Sequence, residues 1–485
     1  MKKIDITYSK GTGFDPFFNN IKLISIDDSP FAGGGFGDIY HARGFNGNNQ
    51  SKLRQVIKIF KPSSIGKDEH SWKTITRLQE KLMEEIDLCA DNGQNFLDQY
   101  PALIAMPQFV FEGTLDGRKV RGYSTNNLNE LGYVSFEKVI DDEDSPYIEE
   151  FEDKNMEWRF TMAYHMVRGF NLLYKIHFLH ADISSDNIFV SLTQPICAIL
   201  DFDSGAIVET MEDNPSTFGK FQPWLAPEIS FQLKKGQSGD GNALVSINSF
   251  TDAWSVANAL LNMLVLMPAY YLVDMSENTL KAYVNKYTWP EASFNDPIFE
   301  SGNKDSYDYF FEVYSKMLPE EVQKEFLAIF SKGVFKPSLR TSYNRWERIL
   351  KKLTLNPLPR PEWLISIPDS PKPPYPPKPP YPPIPDPSSS TKELEEYINA
   401  LVVDVINGDE NMKRHTNFIN DMARKAGLDG KKVLAELKDF IDLYQDCIDD
   451  GVITKFEKSN LLAQGEMALI TEKTIDKLLS PYKKA

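Results

Sequence analysis

The stretch "FLHADISSDNIFV", residues 178–190, sets a short polar loop between two apolar segments. Asp182 and Asn187 stand five residues apart within it. That spacing lets a tight loop aim a carboxylate at a hydroxyl group and an amide oxygen at a magnesium ion. Directly after it come two short strand-like runs, "NIFVSL" (187–192) and "ICAILDF" (196–202), joined by "TQP". The second ends at Asp201, placed to be the principal metal ligand.

Upstream, "FAGGGFGDIYHA" (31–42) reads as a glycine-rich hairpin. Gly33, Gly34, Gly35 and Gly37 let a backbone approach phosphate groups that a Cβ would hold off, and Phe36 would cap the tip. "QVIKIF" (55–60) is a short buried strand with Lys58 inside it. An unpaired ammonium there would be costly, so Lys58 needs an anionic partner. The helix "SWKTITRLQEKLMEEIDLCADNG" (71–93) offers Glu84 and Glu85, and Glu85 is preferred because "EIDL" sets it just before inward apolar positions. An apolar-periodic helix over about 157–177 leads into the opening loop. Downstream, Glu228 of "WLAPEI" and Arg340 of "FKPSLRTS" are suited to a buried ion pair. Asp252 of "TDAWSV" opens an apolar helix, where it can cap the helix or bind backbone amides.

Taken in order, the Gly-rich loop, "VIK", the helix glutamate, H-x-D-x-x-x-x-N, D-F-x, A-P-E, D-x-W-S and a late Arg resemble the eukaryotic-type protein kinase fold over roughly residues 25–352. The resemblance implies an α+β, bilobal architecture with ATP between the lobes. The N-lobe would span 1–125 and the C-lobe 126–354. It also implies roles. Ala32, Gly33, Gly34, Gly35, Phe36 and Gly37 would cover ATP. Lys58 would hold its α and β phosphates and pair with Glu85. Asp182 would be the base, and Asn187 and Asp201 would hold magnesium, or manganese in its place. His180, Phe202, Glu228, Asp252 and Arg340 would be structural. The segment "KVRGYSTNNL" (119–128) falls where adenine should bind, with no single residue assigned.

Four positions depart from the family pattern. Ala32 replaces the first glycine of the loop, a mild change. Ala181 stands where an Arg would bind a phosphorylated activation loop, which argues against that mode of activation and not against chemistry. Ser184 stands where a Lys would neutralise the γ-phosphate, so transfer should be slower; the cue separating Ser/Thr from Tyr acceptors goes with it. Asp203 replaces the last glycine of D-F-G; it could bind backbone amides, sit near the metal or stiffen the turn. Since Lys58, Asp182, Asn187 and Asp201 are all present, the expectation is an active kinase transferring phosphate to a protein hydroxyl of Ser or Thr. Two other readings stay open: a nucleotide-binding pseudokinase scaffold, and a kinase-fold enzyme that transfers AMP or phosphorylates a small molecule. The "H-x-D-I-x-x-x-N … D-x-D-S" form also resembles a divergent bacterial group associated with PP2C-type phosphatases and von Willebrand-type proteins, which implies such a partner.

At 485 residues the chain is too long for one typical core. A formal net charge of -16 argues against nucleic acid or an anionic membrane as partner. Cys89, Cys197 and Cys447 are scattered and odd in number, which suits a reducing, cytoplasmic setting. "MKKIDITYSKGTGF" has no apolar run and does not read as a signal peptide. The apolar stretch 253–273 contains Asn258, Asn262 and Pro268 and reads as a buried helix rather than a membrane span.

After the kinase-like region, residues 355–389 are proline-rich, with "KPPYPP" repeated at 372–377 and 378–383. Such a segment favours polyproline II, a stiff spacer of roughly 60 Å at about 3.1 Å per residue. Lys372, Tyr375, Lys378 and Tyr381 would then line one edge, on which a proline-binding module could dock. Residues 390–485 read as a small all-α domain for binding a partner or substrate. Its first helix carries a Ser390/Glu393 capping box, turns Leu394, Ile398, Leu401 and Val405 to one face and stops near Gly408; further breaks fall at Gly427 and 449–451. "DCIDDGVITKFE" (446–457) partly matches a calcium loop at Asp446, Asp450, Gly451, Ile453 and Glu457. Ile448 at a ligand position favours a helix stop and a Thr454/Glu457 capping box instead.

Overall fold

In "QVIKIF" successive side chains must point to opposite faces of a sheet, and that alternation fixes where Lys58 emerges. A computed structural model of the chain describes residues 1–12, 16–33, 37–47, 55–62, 67–140, 145–208, 224–237, 247–270, 273, 275–299, 304–361, 391–407, 412–448, 452–453, 455–480 and 482–484. The chain divides into two compact units, Met1–Pro368 and Asp369–Ala485.

The first unit begins with strands β1 (Lys2–Gly11), β2 (Leu23–Ile26), β3 (Ala32–Gly33), β4 (Gly37–Phe45) and β5 (Gln55–Phe60). Helix α1 (Lys67–Asp91) follows, then β6 (Phe109–Leu115) and β7 (Arg118–Asn126). The strand order is β2-β1-β6-β7-β5-β4-β3, and β2 also pairs with β4, so the antiparallel sheet closes on itself. Ile57 and Ile59 of β5 point into the closed sheet with Ile4, Ile24, Phe45, Phe109 and Phe111. Lys58 and Phe60 point the other way, and Phe60 joins the large core that runs into the helical lobe. One residue of register therefore decides that the ammonium faces the cleft and not the barrel core.

β1 belongs to this closure and also holds α1. Gln79 of α1 donates a hydrogen bond to the Lys10 carbonyl, Glu80 pairs with Lys10 at 2.9 Å, and Trp72 meets Tyr8 edge to face. Within α1, Ser71, Thr74, Ile75, Leu78 and Leu82 are buried at helical spacing, which sets the inward face.

The helical lobe is built around Met156–Lys175 and Ser249–Val265. The second takes up most of the apolar stretch 253–273 and is buried, with Asn258 and Asn262 donating to the carbonyls of Trp254 and Asn258 one turn earlier. Asn248 caps its start, so Asp252 is left to do other work. No helix among the described residues is long and apolar enough to cross a membrane. The three cysteines are buried and unbridged.

The second unit contains the helices Thr391–Asn407, Met412–Lys425, Gly430–Ile448, Lys455–Met467 and Glu472–Leu479. Leu394, Ile398 and Leu401 are buried in its core and Val405 packs against it, the face expected from the sequence. The second of these helices ends through Gly427 at φ 73°, where the Leu428 amide bonds the Ala423 carbonyl. The proline-rich segment from residue 362, the glycine-loop tip at residues 34–36, Ser390, Gly408, residues 449–451 and Thr454 lie outside the described residues.

His165 lies in the helix Met156–Lys175 with neither ring nitrogen hydrogen-bonded. Burial, helped by the nearby Arg168 charge, pushes its pKa down to about 3. The unfolded chain thus takes up a proton near the ordinary histidine pKa while the folded chain does not. This part of the stability is complete above about pH 6.5 and falls by up to about 1.4 kcal/mol per pH unit on acidification. Urea midpoints measured from pH 7 to 5 should drop steeply for the parent chain, and the slope should be shallower for His165→Leu.

Candidate active site

Lys58 leaves β5 toward a cleft of about 350 Å³. Ile39, Val56, Ala105, Tyr123, Phe189 and Leu200 give the cleft apolar walls, while Asn187 and Asp201 lie at its polar end. Its far side is formed by Thr125 to Asn129, where the chain leaves β7 for the helical lobe; this is the end of the segment in which adenine binding was expected. Ala32 also lines the cleft. Gly33 and Gly37 sit at the ends of a hairpin pairing Ala32 with Ile39 and Gly33 with Asp38. A Cβ at Gly37 would come within 2.8 Å of the Ile59 carbonyl and 3.1 Å of the Lys58 chain, so only glycine lets these strands approach so closely. Gly34, Gly35 and Phe36 are outside the described residues.

The opening loop is shaped by a carboxylate from a distant helix. Asp252 accepts the His180 amide at 2.7 Å and the Ala181 amide at 3.1 Å. Ala181 has φ 62°, a strained conformation for a residue with a side chain, and the paired acceptor stabilises it. His180 bonds the Leu200 carbonyl at 2.7 Å and packs on Phe202, which also meets Phe178. The loop and the Asp201 segment are thereby tied together.

Within this frame Asn187 donates from Nδ2 to the Asp182 carbonyl at 2.7 Å, which leaves its amide oxygen for the cleft. Ser204 stands 3.5 Å from the Asp182 carboxylate. Burial, followed by the negative charge of Asp201, pushes the Asp182 carboxyl up to about 6. A carboxylate with that affinity is a better proton acceptor than one in water while still ionised at neutral pH. Ser184 is buried and Ala181 nearly so.

Asp201 has φ 61°, and the turn that follows brings Asp203 back beneath Lys58. The ammonium is hydrogen-bonded to Asp201 and lies 2.7 Å from Asp203. Burial works against its charge, but Asp203, Tyr123 and Asp201 outweigh it and hold the lysine well above its ordinary pKa. Asp201 is held below the usual carboxylate range despite burial, because Lys58 is beside it. Asp203 is raised by burial and by Asp201.

The partner of Lys58 is therefore not Glu85. Ser71 is the α1 residue that reaches the Asp203 segment, donating to the Asp203 carbonyl at 3.0 Å. Glu85 lies nearly four turns further along, roughly 21 Å at helical rise. It is half-buried near Lys175 and Glu84, and burial raises its pKa. Residue spacing had no means of telling which turn of the helix crosses β5. The role of Asp203 was missed for a related reason, although its extra carboxylate was visible in the sequence.

The donor set fits magnesium. A carboxylate and a free amide oxygen are hard ligands of the kind that ion takes, and both line the cleft.

Further from the cleft, Arg340 makes a two-point ion pair with Glu228 at 2.8 and 2.7 Å, bonds the carbonyls of Gly333 and Phe250, and lies over the Trp254 ring. The Arg340 side chain is fully buried. Truncating one partner of such a pair strands the other, so Arg340→Leu should lose about 3–5 kcal/mol in urea unfolding. Arg340→Lys should recover only part of that, because an ammonium cannot reproduce the two-point contact.

A search among curated proteins gives no match. The family model described as "Protein tyrosine and serine/threonine kinase" matches residues 28–291, a span that takes in the glycine hairpin, Lys58, the 178–190 loop and Asp201. That is more than half of the chain, and the protein belongs to the protein tyrosine and serine/threonine kinase family.

Proposed function

We propose that this chain is an ATP- and magnesium-dependent kinase that phosphorylates Ser or Thr hydroxyls of a protein substrate. The observation that carries this is the convergence on one cleft of Lys58, Asn187 and Asp201, with Asp182 beside them on the loop that holds Asn187. Adenine would lie between the apolar walls against Thr125–Asn129. The Gly33–Gly37 hairpin would cover the phosphates, and Lys58 would hold the α and β groups. Asn187 and Asp201 would hold magnesium, which when bound offsets the charge of the triphosphate.

Asp182 receives the acceptor hydroxyl and orients it. As the hydroxyl oxygen bonds the γ-phosphorus, the bond to the β-bridging oxygen breaks, ADP leaves, and the hydroxyl proton passes to Asp182. With Ser184 where a cation usually helps, the rate should be modest. The helical unit would bind a partner or substrate, and the proline-rich stretch would space it or dock a proline-binding module. A phosphatase or von Willebrand-type protein is the proposed associate, in the reducing cytoplasm.

Intact mass after incubation with MgATP, with ADP and AMP release followed in parallel, tests the reading. A phosphate-sized gain on the chain or on added protein substrate is expected, with ADP as product. Asp182→Asn should lower transfer by at least about a hundredfold, and Lys58→Met by about 10²–10³. Wild-type rates in either variant would overturn the assigned roles. An AMP-sized gain would replace phosphate transfer with nucleotide transfer, and a chain that binds nucleotide without turnover would be a scaffold.

A further inference from the structure

In protein kinases the strand lysine is positioned by a glutamate from the helix after it. Here the buried partner comes from another place. Asp203 offers a side chain with no solvent exposure, 2.7 Å from Lys58. Its backbone carbonyl is held by Ser71 of α1, and the Gly205 carbonyl two residues on is held by Thr74 at 3.1 Å. The inward face of α1 thus presents hydroxyl groups where a carboxylate would be needed, and these bind the backbone of the turn that carries Asp203. Among the described residues no carboxylate of α1 contacts Lys58.

We propose that Asp203 is the positioning residue for Lys58, taking over the part a helix glutamate plays elsewhere in the family. This rests on the kinase reading above. The two carboxylates divide the work by exposure. Asp201 is about one-third exposed at its side chain and lines the cleft, which suits a ligand of magnesium. Asp203 has no exposed side-chain surface and meets Lys58 from behind, so it orients the ammonium and stays with it when Asp201 turns to the metal. A glycine at this position would leave Lys58 with no buried partner once Asp201 was engaged.

An ion pair between strand and helix makes catalysis depend on where the helix sits. With the pair placed inside the Asp201–Asp203 turn, α1 reaches it through the Ser71 and Thr74 hydrogen bonds to that turn and not through a carboxylate of its own. α1 is also fastened to β1 through Gln79, Glu80 and Trp72.

The test compares the full-length parent with Asp203→Gly, Asp203→Asn, Asp203→Gly/Ser71→Glu and Glu85→Gln. Two readouts are taken: KM for ATP against kcat, and acylation of Lys58 by an amine-directed N-hydroxysuccinimide ester, mapped by peptide mass. Asp203→Gly should raise KM for ATP about tenfold and make Lys58 acylate faster. Asp203→Asn, which keeps the shape, should do the same if the glycine variant folds poorly. Ser71→Glu in the glycine background should restore both readouts by returning a carboxylate to the helix, and Glu85→Gln should change neither. Unchanged KM and acylation in the two Asp203 variants would overturn the proposal, as would an equal loss in Glu85→Gln. A parent chain without nucleotide turnover would sink the kinase reading alone, because Lys58 acylation still decides the role of Asp203.

Discussion

An ammonium buried at the inner edge of a β-sheet is the constraint around which this kinase unit is organised. Lys58 is carried on β5 with little exposed surface, and the cost of desolvating it is met by Asp201 and Asp203. To bring them there the chain must turn sharply at Asp201 in the left-handed region. It must also hold the neighbouring 178–190 loop still. Asp252 does the second job from the helix Ser249–Val265, with Asn248 capping that helix in its stead. The cleft is thus a consequence of satisfying buried charges and amides, as much as of apolar packing.

Much of this could be read from residue types and spacing. "HADISSDN" and "ILDFDSG" are local: each encodes a loop and the residues it displays. A polar loop between apolar runs needs little more than its own sequence to be recognised. The ion pair of Arg340 and Glu228 was legible for a different reason, since a lone Arg and a lone Glu near apolar segments each need a partner. The helical face Leu394, Ile398 and Leu401 followed from period alone.

What could not be read depends on how separate segments meet. Periodicity told which face of α1 looks inward, yet all turns of an inward face look alike in sequence. Ser71 lies against the Asp203 turn and Glu85 does not, because β1 and the first turns of α1 fix the crossing point. The closing of the sheet by β1 is non-local in the same way: Lys2–Gly11 must find Leu23–Ile26 on one side and Phe109–Leu115 on the other. Nothing within "KKIDITYSKG" specifies either neighbour.

Two of the departures from the family pattern bear on how α1 and the loops around Lys58 are held. Removing the arginine at position 181 removes a handle for a phosphorylated loop. Placing the lysine's partner at position 203 makes its link to α1 indirect, through the Ser71 and Thr74 hydroxyls on that turn. Closing the sheet with β1 fixes α1 by contacts that do not pass through the active site. Ser184 is a departure of another kind, since the family residue it replaces meets the γ-phosphate.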